Sequence, residues 1–322
     1  VYNRTKAKTD DLVSRGAVWA DSPAAAAKDA DVVFTMVGYP ADVEEIYLSG
    51  DGLLAAAKPG AYLIDLTTSS PQLARDIHDA AEVEDKHAFD CPVTGGQAGA
   101  EAGTLTLIIG ATEEQAAPVL PLLQTFGKKF FYFDAPGAGQ TAKLCNQVSL
   151  ASCMVGYADA LALAEQGHLD AHKVLDLMAS GTGGSGASAS LAPKSLDGDY
   201  KPGFMAEHLR KDIALALRSA QEAELALPGA ETAFALFDTL CQVGGARMGT
   251  QALTLLYAEE GDAAAAGLDW SLLDADADGC CCGGDEGGCG CGGHHEDGHE
   301  CCGGHGHHEG GGEHHCCCHG EA

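Results

Sequence analysis

The chain has 322 residues, which is long enough for two domains of ordinary size that each bury a core. Its formal net charge is −29, from 47 acidic and 18 basic residues, so electrostatic repulsion disfavours nucleic acids and anionic lipid surfaces as partners. No uncharged apolar run reaches the roughly 18 residues that a membrane span needs. The composition therefore predicts a soluble protein that binds neither nucleic acid nor membranes.

Short apolar runs alternate with amphipathic helical stretches over residues 1–134, the pattern of a parallel sheet with helices on its faces. Val1 and Tyr2 are expected to be the last residues of one strand. Later strands are predicted at residues 32–37, 61–65, 87–90, 105–109 and 130–133. This part of the chain is therefore predicted to be an α/β domain.

The strand pattern ends before Gly137, and long helical patterns follow. The first of them, residues 139–166, is apolar nearly all round, which is typical of a helix buried between domains or subunits. A stretch rich in Gly, Ser and Ala at residues 180–190 predicts a flexible loop. Residues 135–273 are predicted to form an all-helical domain, with further helices at residues 171–179, 206–224, 230–243 and 250–259.

The cysteines divide the chain into two parts. Four of the 14 are scattered over the first 279 residues, as in a reduced cytoplasmic enzyme and unlike a disulfide framework. The other ten lie in residues 274–322, where an acidic linker leads into a low-complexity tail rich in Cys, His and Gly. Thiolates and imidazoles suit Zn, Ni or Cu(I), and their irregular spacing favours loose binding of several metal ions over one structural zinc. The alternative is a biased tail without function. The candidate metal ligands are Cys280, Cys281, Cys282, Cys289, Cys291, His294, His295, Cys301, Cys302, His305, His307, His308, His314, His315, Cys316, Cys317 and Cys318.

Candidate cofactor-binding residues occur at the start of the chain. Asn3, Arg4 and Thr5 directly follow the expected strand end. In a doubly wound sheet this position meets the adenosine ribose, where an acidic residue binds a free 2′-hydroxyl and an arginine accommodates a 2′-phosphate. Arg4 therefore indicates NADP, with NAD as the other candidate cofactor. The alternative is that Arg4 is a solvated residue at a helix start.

A candidate anion-binding loop follows the strand predicted at residues 87–90. It reads Asp-Cys-Pro-Val-Thr-Gly-Gly and ends in Thr94, Gly95 and Gly96. A hydroxyl followed by two glycines lets backbone N–H groups converge on an anion, and the missing side chains let a carboxylate approach closely. The alternative is an ordinary tight turn.

A candidate acid/base lies in the apolar helix predicted at residues 139–166. Lys143 shares a face of that helix with Asn146 and Gln147. Burial disfavours the charged form of a lysine and lowers its pKa, which is the shift that a general acid/base needs. The alternative is that Lys143 reaches solvent from the helix end. Lys211 and Asp212, in a later helix, by themselves indicate a solvated helix face that also carries Arg210 and Glu207.

Together these stretches resemble the β-hydroxyacid dehydrogenase family, whose members include 3-hydroxyisobutyrate dehydrogenase, tartronate semialdehyde reductase and glyoxylate/succinic semialdehyde reductase. The resemblance runs from Val1 to about Leu273 and rests on markers in the family's order. These are Asn3-Arg4-Thr5, Thr35-Met36-Val37, Ile64-Asp65-Leu66-Thr67-Thr68 with Pro71, the Pro92 to Gly96 loop, Gly139 to Asn146, and Lys211-Asp212-Ile213.

The resemblance implies a Rossmann-type NADP-binding domain, an all-helical substrate and dimerisation domain, and an active site between them. Lys143 would be the catalytic acid/base that acts on the hydroxyl of a small hydroxy acid or the carbonyl of its semialdehyde. The implied substrate-binding residues are Thr94, Gly95, Gly96, Asn146 and Gln147. The implied cofactor-binding residues are Asn3, Arg4, Thr5, Val37, Gly38, Thr68 and Lys211. A cytoplasmic homodimer or homotetramer is expected.

The sequence departs from the family pattern in several places. Thr94 stands where many members have Ser, Gly38 where many have Pro, and Gln147 where many have a second Asn. The family's first strand and its G-x-G-x-x-G turn do not precede Val1, so we expect an N-terminally truncated chain. Two other functional hypotheses are a metal-buffering or metal-delivery protein that uses the tail, and a catalytically silent relative that binds cofactor. Lys143 argues against the silent relative.

Overall fold

Within residues 1–273, which the computed structural model describes, six strands form two three-stranded sheets. The strands are Val32–Thr35 (β1), Tyr62–Asp65 (β2), His87–Asp90 (β3), Val93–Thr94 (β4), Leu105–Ile109 (β5) and Gly127–Tyr132 (β6). Strands β1, β2 and β3 are parallel in that order, β4 is antiparallel to β5, and β5 is parallel to β6. The predicted α/β class with a parallel sheet is confirmed.

The three parallel strands end in register with one another. Thr35 pairs with Asp65, and Asp65 pairs with Asp90. The carboxyl ends of parallel strands form the edge at which open α/β sheets bind their ligands. One hydroxyl and two carboxylates therefore lie side by side at this edge.

Two short segments differ from the sequence-based predictions. Val1 and Tyr2 are not part of a strand. The amino group of Val1 donates to the Val18 carbonyl at 2.7 Å, and the Val1 carbonyl accepts from Ala20 N at 2.9 Å. Val93–Thr94 forms strand β4, although the sequence predicts only a loop there. Two residues are too few to show the alternation that reveals a strand.

Short helices accompany the strands. They are Asp10–Ser14 (α1), Pro23–Ala27 (α2), Pro40–Leu48 (α3), Leu53–Ala56 (α4), Pro71–Val83 (α5), Gly96–Glu101 (α6), Glu113–Ala116 (α7) and Leu120–Leu123 (α8). Ser22 and Ser70 each accept a hydrogen bond from the first turn and precede a proline, which fixes the starts of α2 and α5. In β2, Leu63 belongs to one apolar cluster and Ile64 to another, so different helices bury the two faces of the sheet.

The second half of the described chain is helical, as predicted. The α-helices are Ala138–Gln166 (α9), Ala171–Ser180 (α10), Gly186–Ser190 (α11), Ala192–Leu196 (α12), Ala206–Glu222 (α13), Pro228–Gln242 (α14) and Glu260–Ala265 (α15). Three further segments, Lys6–Thr9, Gly245–Arg247 and Thr250–Tyr257, are 3-10 helices. The sequence predicts a helix at 250–259 and a loop over 180–190. The helix predicted at 250–259 is present at Thr250–Tyr257 and is of the 3-10 type. The loop prediction is wrong in part, because α11 forms where Ser185 caps its first turn.

Helix α9 is long and apolar enough to cross a membrane by length and composition. Its buried residues, which include Met154 and Tyr157, pack with Ile213 of α13 and Phe237 of α14 in one apolar core. A helix that is apolar nearly all round also occurs at the centre of a protein core, and α9 has that role here.

The N-terminus of α9 is anchored to the sheet by a carboxylate. Asp90, the last residue of β3, accepts hydrogen bonds from Gly137 N at 2.8 Å and from Gln140 N at 2.6 Å. A Cβ atom on Gly139 would lie 2.7 Å from the Ile108 carbonyl oxygen and 2.8 Å from a carboxylate oxygen of Asp90. Only glycine therefore lets the first turn of α9 approach the strands this closely.

We expect Gly139→Ala to lower the free energy of unfolding by about 1–3 kcal/mol, because the added methyl group displaces backbone that cannot move freely. Gly156→Ala is the matched control, since Gly156 lies in the same helix, is exposed, and has no atom within 4 Å of the added Cβ. That control should stabilise by about 0.5–1 kcal/mol. Urea denaturation measures both changes, and equal effects would contradict this account of α9.

Candidate active site

A buried hydrogen-bond network organises the loops that follow β1 and β2. The Asp65 carboxylate accepts from Thr67 N and from the Thr35 hydroxyl, each at 3.0 Å, and the Thr35 hydroxyl lies 2.8 Å from the Tyr47 hydroxyl. Thr67 Oγ1 in turn accepts from Val37 N at 3.0 Å. Burial raises the pKa of Asp65 to about 6, while its hydrogen bonds to Thr67 and Thr35 oppose that rise. The network fixes the backbone of both loops next to the strand ends.

Lys211 of α13 connects the helical part of the chain to these two loops. Its ammonium donates to the Thr68 carbonyl at 2.6 Å and to the Gly38 carbonyl at 3.2 Å. It also lies 3.0 Å from Asp212 Oδ1. The structure thus brings together three residues, Lys211, Gly38 and Thr68, that the sequence assigns to cofactor binding.

Lys143 lies in the second turn of α9 and is almost completely buried, with 6% of its surface exposed. Burial lowers the pKa of its ammonium from 10.5 to about 8. The Asp212 carboxylate opposes this by raising the pKa of Lys143, and the Lys211 charge adds to the lowering. Such an amine can gain or lose a proton near neutral pH, as the sequence predicts for an acid/base.

Asn146 and Gln147 belong to a hydrogen-bonded chain that leads to α13. Asn146 Nδ2 donates to Gln147 Oε1 at 3.0 Å, and Gln147 Nε2 donates to Asp212 Oδ2 at 2.7 Å. Gln147 is buried, whereas Asn146 is exposed. The Gln147 amide therefore has protein partners for both of its polar atoms, and Asn146 is the residue of the pair that solutes can reach.

The loop after β4 holds its two glycines in conformations that other residues rarely adopt. Gly95 has φ of +130° and Gly96 has φ of +62°. A Cβ atom on Gly95 would lie 3.1 Å from Leu105 Cδ2, so the residue is also sterically confined. Thr94 pairs with Thr106 in β4 and β5. In residues 1–273, no side-chain hydrogen bond connects this loop to Lys143.

Among the predicted nucleotide-binding residues at the start of the chain, Arg4 contacts helix α3. Asn3 Oδ1 accepts from Thr5 N at 2.9 Å, and Arg4 Nη1 lies 3.1 Å from Asp42 Oδ1. The other oxygen of Asp42 accepts from Tyr39 N at 3.0 Å, at the start of α3. The Arg4 side chain stays 78% exposed, so an anion can still reach it.

The predicted metal ligands lie between residues 280 and 318, outside the described residues. Within residues 1–273, no group of three or more His, Cys, Asp or Glu side chains is placed to hold a metal ion.

Comparisons with known proteins identify the family. Residues 1–134 match a family model described as the NAD binding domain of 6-phosphogluconate dehydrogenase, and residues 137–257 match one described as the NAD-binding of NADP-dependent 3-hydroxyisobutyrate dehydrogenase. An uncharacterised oxidoreductase of Bacillus subtilis is 40% identical over 257 residues, which cover 80% of this chain and 89% of that protein. The chain belongs to the β-hydroxyacid dehydrogenase family.

Two further relatives support the enzyme class. An NAD-dependent L-serine dehydrogenase of Pseudomonas aeruginosa is 37% identical, with coverage of 76% of this chain and 84% of that protein. The solved structure of Mycobacterium tuberculosis 3-hydroxyisobutyrate dehydrogenase with L-serine is similar at a TM-score of 0.72 and 29% identity, covering 78% of this chain and 87% of that one. The protein is accordingly an NAD(P)-dependent dehydrogenase of hydroxy acids, and both the predicted family and the predicted enzyme class are confirmed.

The structure adds four residues that the sequence-based site omits. They are Asp42, Asp90, Gln140 and Asp212. Asp90 could have been recognised from the sequence, because it is a carboxylate at the end of a predicted strand. Asp212 directly follows Lys211, but its partner Gln147 is 65 residues away in the chain. Gln140 and Asp42 carry no sequence signal, because their contacts depend on tertiary structure.

We expect Asp212→Asn to lower the pKa of Lys143 below its value of about 8, because the carboxylate is the one neighbouring charge that raises that pKa. The pKa can be measured directly by NMR titration of the Lys143 side chain. Asp238→Asn is the matched control, since Asp238 pairs with Arg210 and does not contribute to the pKa of Lys143. A higher pKa in Asp212→Asn would show that the carboxylate acts differently.

Proposed function

We propose that this enzyme interconverts a small 3-hydroxy acid and its semialdehyde, with Lys143 as the residue that transfers the proton. The observation that carries the proposal is the buried Lys143 amine with its pKa near 8, close to Asp212 and Lys211. The relatives' names contain two compounds, 3-hydroxyisobutyrate and L-serine. Each has a carboxylate, and each has a hydroxyl on the carbon that is β to that carboxylate. These relatives support the same substrate class for this chain.

The residues at the strand ends fit a nicotinamide nucleotide. Gly38 and Thr68 lie in the loops after β1 and β2, at the edge where such sheets bind nucleotides, and the exposed guanidinium of Arg4 can meet a phosphate. Such a cofactor supplies or accepts the hydride. Val37 lies in the loop after β1 as well, and the hydrogen bond from its N–H to Thr67 Oγ1 fixes its backbone at the same edge.

Lys143 would act on the substrate oxygen. In the reductive direction its ammonium donates a proton to the carbonyl oxygen as the carbonyl carbon receives the hydride. In the oxidative direction the neutral amine takes the proton from the hydroxyl as the hydride leaves the same carbon. An amine with a pKa of about 8 has enough of both forms near neutral pH for either direction.

The remaining predicted residues would bind the substrate. The Thr94 hydroxyl and the backbone of Gly95 and Gly96 would hold the substrate carboxylate, since the glycine conformations leave that backbone uncovered. Asn146 would bind the substrate through its exposed amide, and Gln147 would fix Asn146 in place through their hydrogen bond. In this arrangement Gln147 affects substrate choice through Asn146.

We also propose that the enzyme prefers NADPH to NADH. Arg4 is cationic and exposed, and neither Asn3 nor Thr5 is acidic. Asp42 partly neutralises Arg4, but solvent around the exposed guanidinium weakens this ion pair, and a phosphate can replace the carboxylate as its partner. The relatives' names include both NAD and NADP, so the preference has to come from residues of this chain.

We expect Lys143→Ala to lower turnover of semialdehydes by at least about 10²-fold while NADPH affinity stays nearly unchanged, because general acid catalysis supplies about 10²–10⁴-fold. Lys143→Arg should not restore turnover, since a guanidinium does not release its proton at neutral pH. Stopped-flow hydride transfer and a fluorescence titration with NADPH measure the two quantities.

The pH dependence provides the control for this role. Oxidation requires the neutral amine, so its rate should rise as pH increases through about 8, and reduction requires the ammonium, so its rate should fall over the same range. If Lys143→Ala kept more than about a tenth of wild-type turnover, a smaller loss than general acid catalysis allows, Lys143 would not be the proton-transfer residue.

We expect Arg4→Asp to shift the ratio of kcat/KM values from NADPH toward NADH, because an acidic residue at this position binds a free 2′-hydroxyl and repels a 2′-phosphate. Arg15→Asp is a matched control, since Arg15 is also an exposed arginine paired with an aspartate, Asp11, but lies outside the proposed site. The proposed preference would be contradicted if kcat/KM of the wild-type enzyme were at least as high with NADH as with NADPH, and if Arg4→Asp did not change the ratio of the two values.

A further inference from the structure

Gln140 is a completely buried polar residue whose role the proton-transfer mechanism does not explain. It is 0% exposed and lies in the first turn of α9. Its Oε1 accepts a hydrogen bond from Ser69 N at 2.9 Å, and its Nε2 donates to the Thr67 carbonyl at 2.7 Å. Both polar atoms of the side chain therefore bind the backbone of one loop, on either side of Thr68.

The same loop is also held from the second helix of the candidate site. The Thr68 carbonyl accepts from Lys211 Nζ at 2.6 Å, between the two residues that Gln140 binds. Three consecutive residues, 67 to 69, are thus attached alternately to α9 and α13. This loop is the structural link that joins the start of α9 to Lys211.

Gln140 precedes Lys143 by three residues, so the two side chains project from the same face of α9, about one turn apart. Lys211 and Asp212 are the two charges that act on the Lys143 amine, and they act in opposite directions. The environment of Lys143 therefore depends on how α9 and α13 are placed relative to each other, and on how completely water is kept out.

We propose that Gln140 is a positioning residue that clamps residues 67–69 to the first turn of α9 and thereby holds Lys143 and Lys211 in fixed relation within a site that excludes water. It does not touch the substrate, because its side chain is fully enclosed by protein. The inference rests on the proposed function of Lys143 and adds the residue that keeps its amine in place.

The role predicts a signature that a purely stabilising residue would not give. Loosening the loop would let the start of α9 shift relative to α13 and open the buried surroundings of Lys143 to water. Because burial is the main cause of its lowered pKa, that pKa should rise from about 8 toward the ordinary lysine value of 10.5. A loss of stability alone would reduce the amount of folded enzyme without changing the pKa of the molecules that stay folded.

The test compares Gln140→Leu with Gln251→Leu. Gln251 is also buried, with 2% of its surface exposed, and its Nε2 donates to the backbone carbonyls of Asp199 and Lys201 at 2.8 and 3.1 Å, so the control also loses two side-chain bonds to backbone. We expect both variants to melt at lower temperature. Only Gln140→Leu should raise the pKa of Lys143 in an NMR titration and lower kcat, by roughly 10- to 100-fold, because small misplacements of a catalytic group cost this much.

Gln140→Glu keeps the test decisive if Gln140→Leu does not fold. The introduced carboxyl can still accept from Ser69 N, but it can donate to the Thr67 carbonyl only when protonated. The ratio of the kcat of Gln140→Glu to the wild-type kcat should therefore rise as pH falls, because protonation of the introduced carboxyl restores the bond to the Thr67 carbonyl.

The possible results separate the two proposals. If the pKa of Lys143 and kcat stay at wild-type values in both Gln140 variants, or change equally in Gln251→Leu, the positioning role is wrong. If the NMR titration shows the rise in pKa but Lys143→Ala keeps full turnover, the positioning of the amine stands and the proposed catalytic function fails.

Discussion

The hydrogen bonds that the Asp90 carboxylate accepts from the start of α9 determine the position of the candidate site. The first N–H groups of a helix have no partner within the helix, and the macrodipole favours a negative charge beside them. Asp90 satisfies two of these groups while its own backbone stays in β3. Because Lys143 follows one turn later on the same helix, its distance from the sheet is set by this contact.

This contact requires glycines on both sides. A Cβ on Gly110 would lie 2.0 Å from Asp90 Oδ1, and one on Gly137 would lie 2.4 Å from the Pro71 carbonyl oxygen. Glycine therefore serves here to let a helix, two strands and a carboxylate meet without a side chain between them. These glycines lose more conformational entropy on folding than other residues would, and the close packing at the junction offsets that loss.

Burial is the main influence on the pKa of Lys143, because the two neighbouring charges act on that pKa in opposite directions. Asp212 raises the pKa and Lys211 lowers it, while burial accounts for the largest part of the shift to about 8. Asp212 in turn is held by Gln147, and Lys211 by the Thr68 carbonyl. Residues that exclude water from the amine therefore matter as much for its chemistry as the charges around it.

The sequence predicts the parts of this molecule that depend on local pattern. Strands at 87–90 and 105–109 are confirmed residue for residue, and the buried setting of Lys143 follows from the apolar residues around it. The contacts of Gln140 and the ion pair of Arg4 with Asp42 could not be predicted, because they join residues 38 to 73 positions apart in the chain. Strand β4 was missed because two residues carry no periodicity.

The contacts of Lys211 have a consequence for how such a site can change during evolution. Its ammonium binds main-chain carbonyls of Gly38 and Thr68, and every amino acid supplies a carbonyl. Substitutions at either position, including proline at position 38, leave an acceptor for the lysine in place. Residues 38 and 68 can therefore be replaced, with an effect on ligand preference, while Lys211 still joins the two loops to the helical part of the enzyme.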